Sequence, residues 1–278
     1  MTQLFGCDFS SSPSRRKPIV VALGHVASPD AVRLDELQRF DSLDAWGAWL
    51  TSVPEWTGGF DFPFGLPREL VETLGWPLEW AALMTHYAQL GRPEIRSCFA
   101  AFCASRPAGG KFAHRATDGP AGSSPSMKWV NPPVAFMLHA GVPCLLAAGA
   151  VFPGLHVPTG SRERVALEAY PGLLARELIG RRSYKSDELA RQTPERLAAR
   201  ADLLTAIERG ETRLRLRLEL SDTQRRELLD DGSGDCLDAA LCLVQAAWGH
   251  ARAASPGPGY GLPRYVDPLE GWIVSAGA

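Results

Sequence analysis

The chain has 278 residues, 45% of them hydrophobic and 22% charged, an ordinary globular balance with room for one large α/β domain. A net charge of −2 argues against a general nucleic-acid or anionic-membrane binder. The charge is uneven: residues 162–226 carry 15 Lys/Arg against 11 Asp/Glu, a surplus of +4, so the remainder holds −6 and a polyanion meets its friendlier face in the C-terminal half.

Residues 1–6 are too short for a signal peptide. Residues 4–9 (LFGCDF) read as a strand running into the turn 10–13 (SSSP), residues 18–26 (PIVVALGHV) as a second, and residues 31–40, alternating at Val32, Leu34 and Leu37, as a third; together they form a meander. Asp41 is placed as the N-cap of a helix, with Asp44 complementing its dipole and Leu43, Trp46, Trp49 and Leu50 as its apolar face. Residues 57–62 form another strand, stopped by Pro63 and Gly65.

Residues 66–106 are predicted helical, with Leu70 and Leu74 and then Trp80, Leu83, Met84, Tyr87 and Leu90 at helical spacing. Residues 105–133 are rich in Gly, Ser and Pro and contain Lys111, His114, Arg115 and Asp118; a loop so long is mobile or functional. No Asp, Glu, Lys or Arg occurs in residues 130–160, and residues 134–155 could span a bilayer by length. Gly141, Pro143, Gly149 and Pro153 break that run, so a buried helix pair, with no membrane, is the expectation. Residues 164–169 (RVALEA) make a further strand, ended by Pro171 and followed by a short helix.

Thr193, Pro194 and Gly210 bracket another helix. Residues 212–220 alternate Leu214, Leu216, Leu218 and Leu220 with Arg213, Arg215 and Arg217; the period favours a strand, whereas Leu and Arg are good helix formers. Ser221 and Gln224 have capping-box spacing. A last helix begins near Asp235, with Leu237, Leu241, Val244 and Trp248 on one face. Residues 252–268 form a Pro/Gly-rich link, and residues 271–275 (GWIVS) a closing strand. The six cysteines show no Cys-x-x-Cys spacing, which points to free thiols in a reducing, cytoplasmic compartment and away from zinc.

Against this background the carboxylates need an explanation. Asp8 and Asp61 end apolar runs, Glu168 lies in a third, and Asp235 and Asp238 open the late helix. Each has a plain alternative: a turn for Asp8, a solvent-facing position for Asp61 between Phe60 and Phe62, outward alternation for Glu168, helix-start chemistry for the last two. A buried carboxylate is nevertheless costly unless paired or bound to a cation, and the i, i+3 spacing puts Asp235 and Asp238 on one helical face. Mg²⁺ or Mn²⁺ prefers such oxygen ligands, and two ions about 3.5–4 Å apart can activate water and stabilise a leaving oxygen in phosphodiester cleavage. Without the cations the carboxylates repel one another, so metal binding is expected to stabilise the fold.

The order of these elements resembles the ribonuclease H-like fold, and GDCLDAALCLVQA looks like the final helix of Holliday-junction resolvases. The phrases GCDFS, GGFDFPFGLP, RATD, ALEAYPG, GDCLDAALC and EGWIV resemble more closely a family of predicted ribonuclease H-like nucleases (domain of unknown function 429). The resemblance implies a single α/β domain over residues 1–278, with a mixed five-stranded sheet, an antiparallel meander, helices on both faces and a helical and loop insertion over residues 66–160. It implies a metal-dependent nuclease acting on DNA or RNA, with Asp8, Asp61, Asp235 and Asp238 as Mg²⁺ or Mn²⁺ ligands. Glu168 follows as an auxiliary ligand or as a carboxylate that supports the ligands from behind.

No acidic residue beyond the candidate Asp44 replaces the extra first-helix carboxylate of the ribonucleases H, which argues against an RNA/DNA-hybrid substrate and favours the resolvase-like set. For substrate binding, Arg181, Arg182 and Lys185 are placed to hold phosphates, Arg213, Arg215 and Arg217 to form a ridge, and Lys111, His114 and Arg115 to reach in from the flexible loop. Solvated helix ends and a surface histidine are the plainer readings of the same residues. Trp129, Trp248 and Trp272 read as core. Two other functions fit the same fold: an ATP-binding phosphotransferase, for which a second glycine-rich phosphate loop is not found, and a non-catalytic nucleic-acid-binding module.

Overall fold

Strands β1 (Gln3–Asp8), β2 (Ile19–Ser28) and β3 (Ala31–Phe40) pair antiparallel in sequence order. After α1 (Leu43–Ser52), the chain returns as β4 (Trp56–Phe60), parallel to β1 on its free side. The computed structural model describes residues 2–107, 109–160 and 163–278; Ala108 of the glycine-rich loop and Arg162 at the head of the basic segment lie outside them.

Between β4 and β5 (Arg164–Glu168) come α2 (Arg68–Thr73), α3 (Trp80–Gln89), α4 (Arg92–Ala104), α5 (Asp118–Ala121) and α6 (Val134–Ala147). β5 joins β4 in parallel, and α7 (Pro171–Ile179) and α8 (Pro194–Glu208) follow it. β6 (Arg217–Glu219) pairs in parallel with β3, after which α9 (Asp222–Asp230) and α10 (Asp235–His250) close the fold. The sheet order is β5-β4-β1-β2-β3-β6.

Several expectations change. The sheet has six strands rather than five, because part of the Leu/Arg-alternating segment adds to the edge of β3. Only residues 217–219 of that segment are strand; upstream, Arg215 sits at φ 51° and its N–H closes a turn on Thr212. Residues 271–275 are not a strand: 271–273 are irregular and a turn begins at Val274, with Gly271 at φ 70° and Ser275 at φ 73°, conformations a strand cannot hold. Ser42, not Asp41, caps α1, its hydroxyl accepting from the Ala45 N–H. The apolar run 134–155 is one helix, α6, and then bridges at Val151 and Phe152, the chain turning at left-handed Gly149. Among the described residues no helix is long and apolar enough to cross a membrane.

Alternation along the strands divides the interior into two cores. Phe5, Cys7, Ile19, Val21 and Phe60 face α1 and the helices inserted after β4. Leu4, Val20, Ala22, Val165 and Leu167 face α7, α8 and α10. On that second face Gly6 of β1 and Gly59 of β4 are register partners, and α10 rests directly on them. A methyl at Gly6 would overlap the Leu243 N and Ala239 O atoms of the helix backbone; one at Gly59 would meet the Cys242 carbonyl. These glycines are needed for closeness of approach, and the approach brings the first turn of α10 to the ends of β1 and β4.

Candidate functional site

Asp8 ends β1 on the α10 face, continuing the alternation Leu4, Gly6, Asp8. Asp61 follows Phe60 at the end of β4, where its N–H donates to the Cys7 carbonyl at 2.9 Å, tying the two strand ends together. Asp238 lies one turn into α10 and is wholly buried. Carboxylate oxygens of Asp8, Asp61 and Asp238 all lie within 4.8 Å of one another. Three acids separated widely in sequence thus converge where the parallel strands end, the usual ligand position of open α/β sheets.

The partners of the three differ. Asp238 accepts from the Tyr184 hydroxyl and from the Lys185 ammonium. Among the described residues, the carboxylates of Asp8 and Asp61 have neither a hydrogen-bond donor nor a basic ion-pair partner. Asp8 is only 9% exposed, and the positive charge that acts on it comes from Lys185, which is already bonded to Asp238. Its carboxyl is pushed well above the usual range by burial and then by Asp238 and Asp235. Asp61 is pushed up to about 7 by burial and by Asp238, although Lys185 pulls the other way.

Asp235 stands beside this trio and is held elsewhere. Its Oδ1 accepts from Lys17 at 2.7 Å, and the same ammonium reaches Asp187 at 2.6 Å. Burial would lower Lys17, but the hydrogen bonds to Asp187 and Asp235 outweigh it and keep the ammonium charged. Asp235 does not cap α10 either: the N-cap is Gly234 at φ 80°, and Asp231 receives the Cys236 N–H at 2.8 Å. The expected pair of helix-start ligands therefore separates into Asp238 inside the cluster and Asp235 in an ion pair at its edge.

Glu168 departs furthest from expectation. Leu167 faces α10, so Glu168 turns to the opposite side of the sheet. There it takes a two-pronged pair from Arg115 at 2.7 and 2.8 Å and the Phe64 N–H at 2.9 Å. Arg115 also binds Asp118 and the Glu270 carbonyl, and it is 3% exposed. The expected substrate-facing Arg115 and ligand-like Glu168 are thus a buried ion pair that ties the long loop to β5. Glu168 still adds to the negative field that raises Asp61. Asp44 is exposed at the start of α1, near Cys144.

Lys111 lies over the Phe112 ring and His114 is exposed; among the described residues no hydrogen bond or ion pair joins either to the acidic cluster. Lys185 does reach the cluster. Arg182, in an exposed pair with Asp202 at 2.6 Å, shares a groove with Asp61, Tyr170, Arg176, Arg181 and Lys185. Sequence reading overlooked Lys17 and Tyr184. Lys17 was legible: β2 runs antiparallel to β1 with Val20 opposite Asp8, so a lysine three residues earlier falls at the same sheet end. Tyr184 sits in an irregular segment and offered no such signal.

The donor set is all oxygen, which suits Mg²⁺ or Mn²⁺ rather than a soft metal. Cys7 and Cys242 nearby do not change that, because burial first and the surrounding aspartates next push their thiols far up and keep them protonated. With metal–oxygen bonds of about 2.0–2.1 Å, opposite ligands lie about 4.2 Å apart, so the trio needs only small side-chain shifts to hold an ion. Compared with family models, with curated proteins and with solved structures, the chain finds no match.

Proposed function

We propose that the protein is a divalent-metal-dependent nuclease of ribonuclease H-like architecture, hydrolysing phosphodiester bonds with Asp8, Asp61 and Asp238 as cation ligands. The carrying observation is the nearly buried Asp8 beside Asp61, neither with a hydrogen-bond donor among the described residues, with Asp238 oxygens within 4.8 Å. Three acids this close, with Lys185 as the opposing charge, are costly as a protein-only arrangement and make sense as a cation cradle. The first five strands support the architectural part: an antiparallel meander, with β4 and β5 added in parallel beside β1.

A bound Mg²⁺ or Mn²⁺ supplies an acidified water and positive charge against the phosphate. The chain's own groups do the rest. Both oxygens of Asp8 and of Asp61 are open to ligation, by one ion or shared between two. Tyr184 fixes the Asp238 carboxylate through one oxygen while Lys185 neutralises the other. Lys185 also stands where the acidic cluster meets the arginine groove, so its ammonium can turn to a phosphate once Asp238 has another counter-ion. Arg176, Arg181 and Arg182 then hold the flanking backbone.

The test is a panel of single-stranded, duplex and branched DNA and RNA with Mn²⁺, comparing wild type with Asp61→Asn. The variant loses at least about a hundredfold in rate while keeping a cooperative melt. Equal rates remove Asp61 from the site, and micromolar ATP binding without cleavage of any nucleic acid moves the reading to a phosphotransferase.

A further inference from the structure

A cavity of about 310 Å³ opens beside the acidic cluster. It shares Asp61, Tyr170 and Lys185 with the arginine groove, but runs toward the inserted segment instead of along α7. Its walls are chiefly apolar: Phe62 and Pro63 after β4, Val134 and Met137 from the first turns of α6, and Ile273 from the C-terminal turns. Its volume sits at the small end of ligand sites, which run from about 300 to 1,000 Å³, and matches a single planar heterocycle better than a chain or a second protein.

Arg115 and Glu168 also line it, yet neither has capacity left. Every guanidinium nitrogen of Arg115 already donates to Asp118, Glu168 or the Glu270 carbonyl, and both Glu168 oxygens accept. The charged wall is therefore internally satisfied and presents no unpaired group to a ligand. What remains is a chiefly apolar slot with the Ser124 hydroxyl on its loop side, and it shares Asp61, Tyr170 and Lys185 with the basic groove.

We propose that this slot takes one unstacked nucleobase, with the adjoining phosphate at Lys185 and the acidic cluster and the strand continuing through the groove of Arg176, Arg181 and Arg182. This rests on the nuclease reading and makes the substrate class single-stranded or locally unpaired nucleic acid. In a duplex a base reaches such a slot only after leaving the stack. Because most of the wall is apolar, shape and stacking dominate over hydrogen-bond readout and the slot tolerates different bases, as stacking platforms do.

The probes are thymidine 5′-monophosphate and 2-deoxyribose 5-phosphate, which has an anomeric hydroxyl in place of the base, titrated calorimetrically with Mn²⁺ present. Wild type binds the nucleotide about tenfold or more tightly than the sugar phosphate. Filling the slot with Val134→Phe, or from the loop with Ser124→Phe, brings the two affinities together and leaves the Mn²⁺-induced rise in melting temperature unchanged. Equal affinities in wild type, or a preference that survives both substitutions in folded protein, overturn the assignment. Failure of the two readings is distinguishable. A protein that cleaves nucleic acid with no preference between the probes keeps the nuclease reading and loses the slot. One that prefers the nucleotide and cleaves nothing keeps the slot and loses the nuclease.

Discussion

Asp8 and Asp61 are acids that the fold buries or encloses without giving them donors, and their cost varies with pH. The Asp61 carboxyl is raised to about 7, against about 3.9 in an unfolded chain. Between those values the folded state binds the extra proton, so stability from this group is full below about pH 4 and is lost as pH rises through about 7. In chelator, the melting temperature of wild type should therefore fall relative to that of Asp61→Asn from pH 4.5 to 8. Mn²⁺ at pH 8 should restore it in wild type alone; parallel profiles of the two proteins would remove the effect from Asp61. Not every acid at a strand end belongs to this chemistry. Glu168 looked like Asp61 in sequence, yet its position in the alternation of β5 sends it to Arg115. Strand phase decides the face, and phase was readable only once Leu167 was placed against α10.

Helix α10 was the most legible element, because its apolar spacing and its paired aspartates stood out together. Less legible was what lets it touch the sheet. Gly6 and Gly59 read as weak points in their strands, and their purpose shows only in the register that puts them side by side beneath the helix backbone. Gly6→Ala should lower the melting temperature by roughly 3–10 °C and abolish the Mn²⁺-induced stabilisation, since α10 must lift away from Asp8 and Asp61. Gly47→Ala in α1, where an added methyl meets nothing within 4 Å, is the control and should be neutral or stabilising. An unchanged metal response in Gly6→Ala would break the link between helix approach and the acid cluster. Left-handed residues account for two of the misread elements: Arg215 interrupts a segment whose period favours strand, and Gly271 and Ser275 bound one whose apolar composition does.

For the molecule as a whole, the modest charge of −2 conceals an acidic cluster set beside a basic groove. The surplus of positive charge in residues 162–226 foretold the groove but not its position, which depends on α7 ending beside the cluster. If Arg176, Arg181, Arg182 and Lys185 each neutralise a phosphate, log affinity for a single-stranded oligonucleotide should fall with log salt at a slope of roughly −3. With Ca²⁺ replacing Mn²⁺, fluorescence anisotropy should show that slope reduced by about 1 in Arg181→Ala, and no change would exclude Arg181 from the path. The acidic centre itself draws on residues 8, 61 and 238, from the first strand to the last helix. If these three acids hold an ion, a growing polypeptide has no complete cradle to offer it until the final quarter has emerged and docked, and cation uptake would then report that assembly is finished.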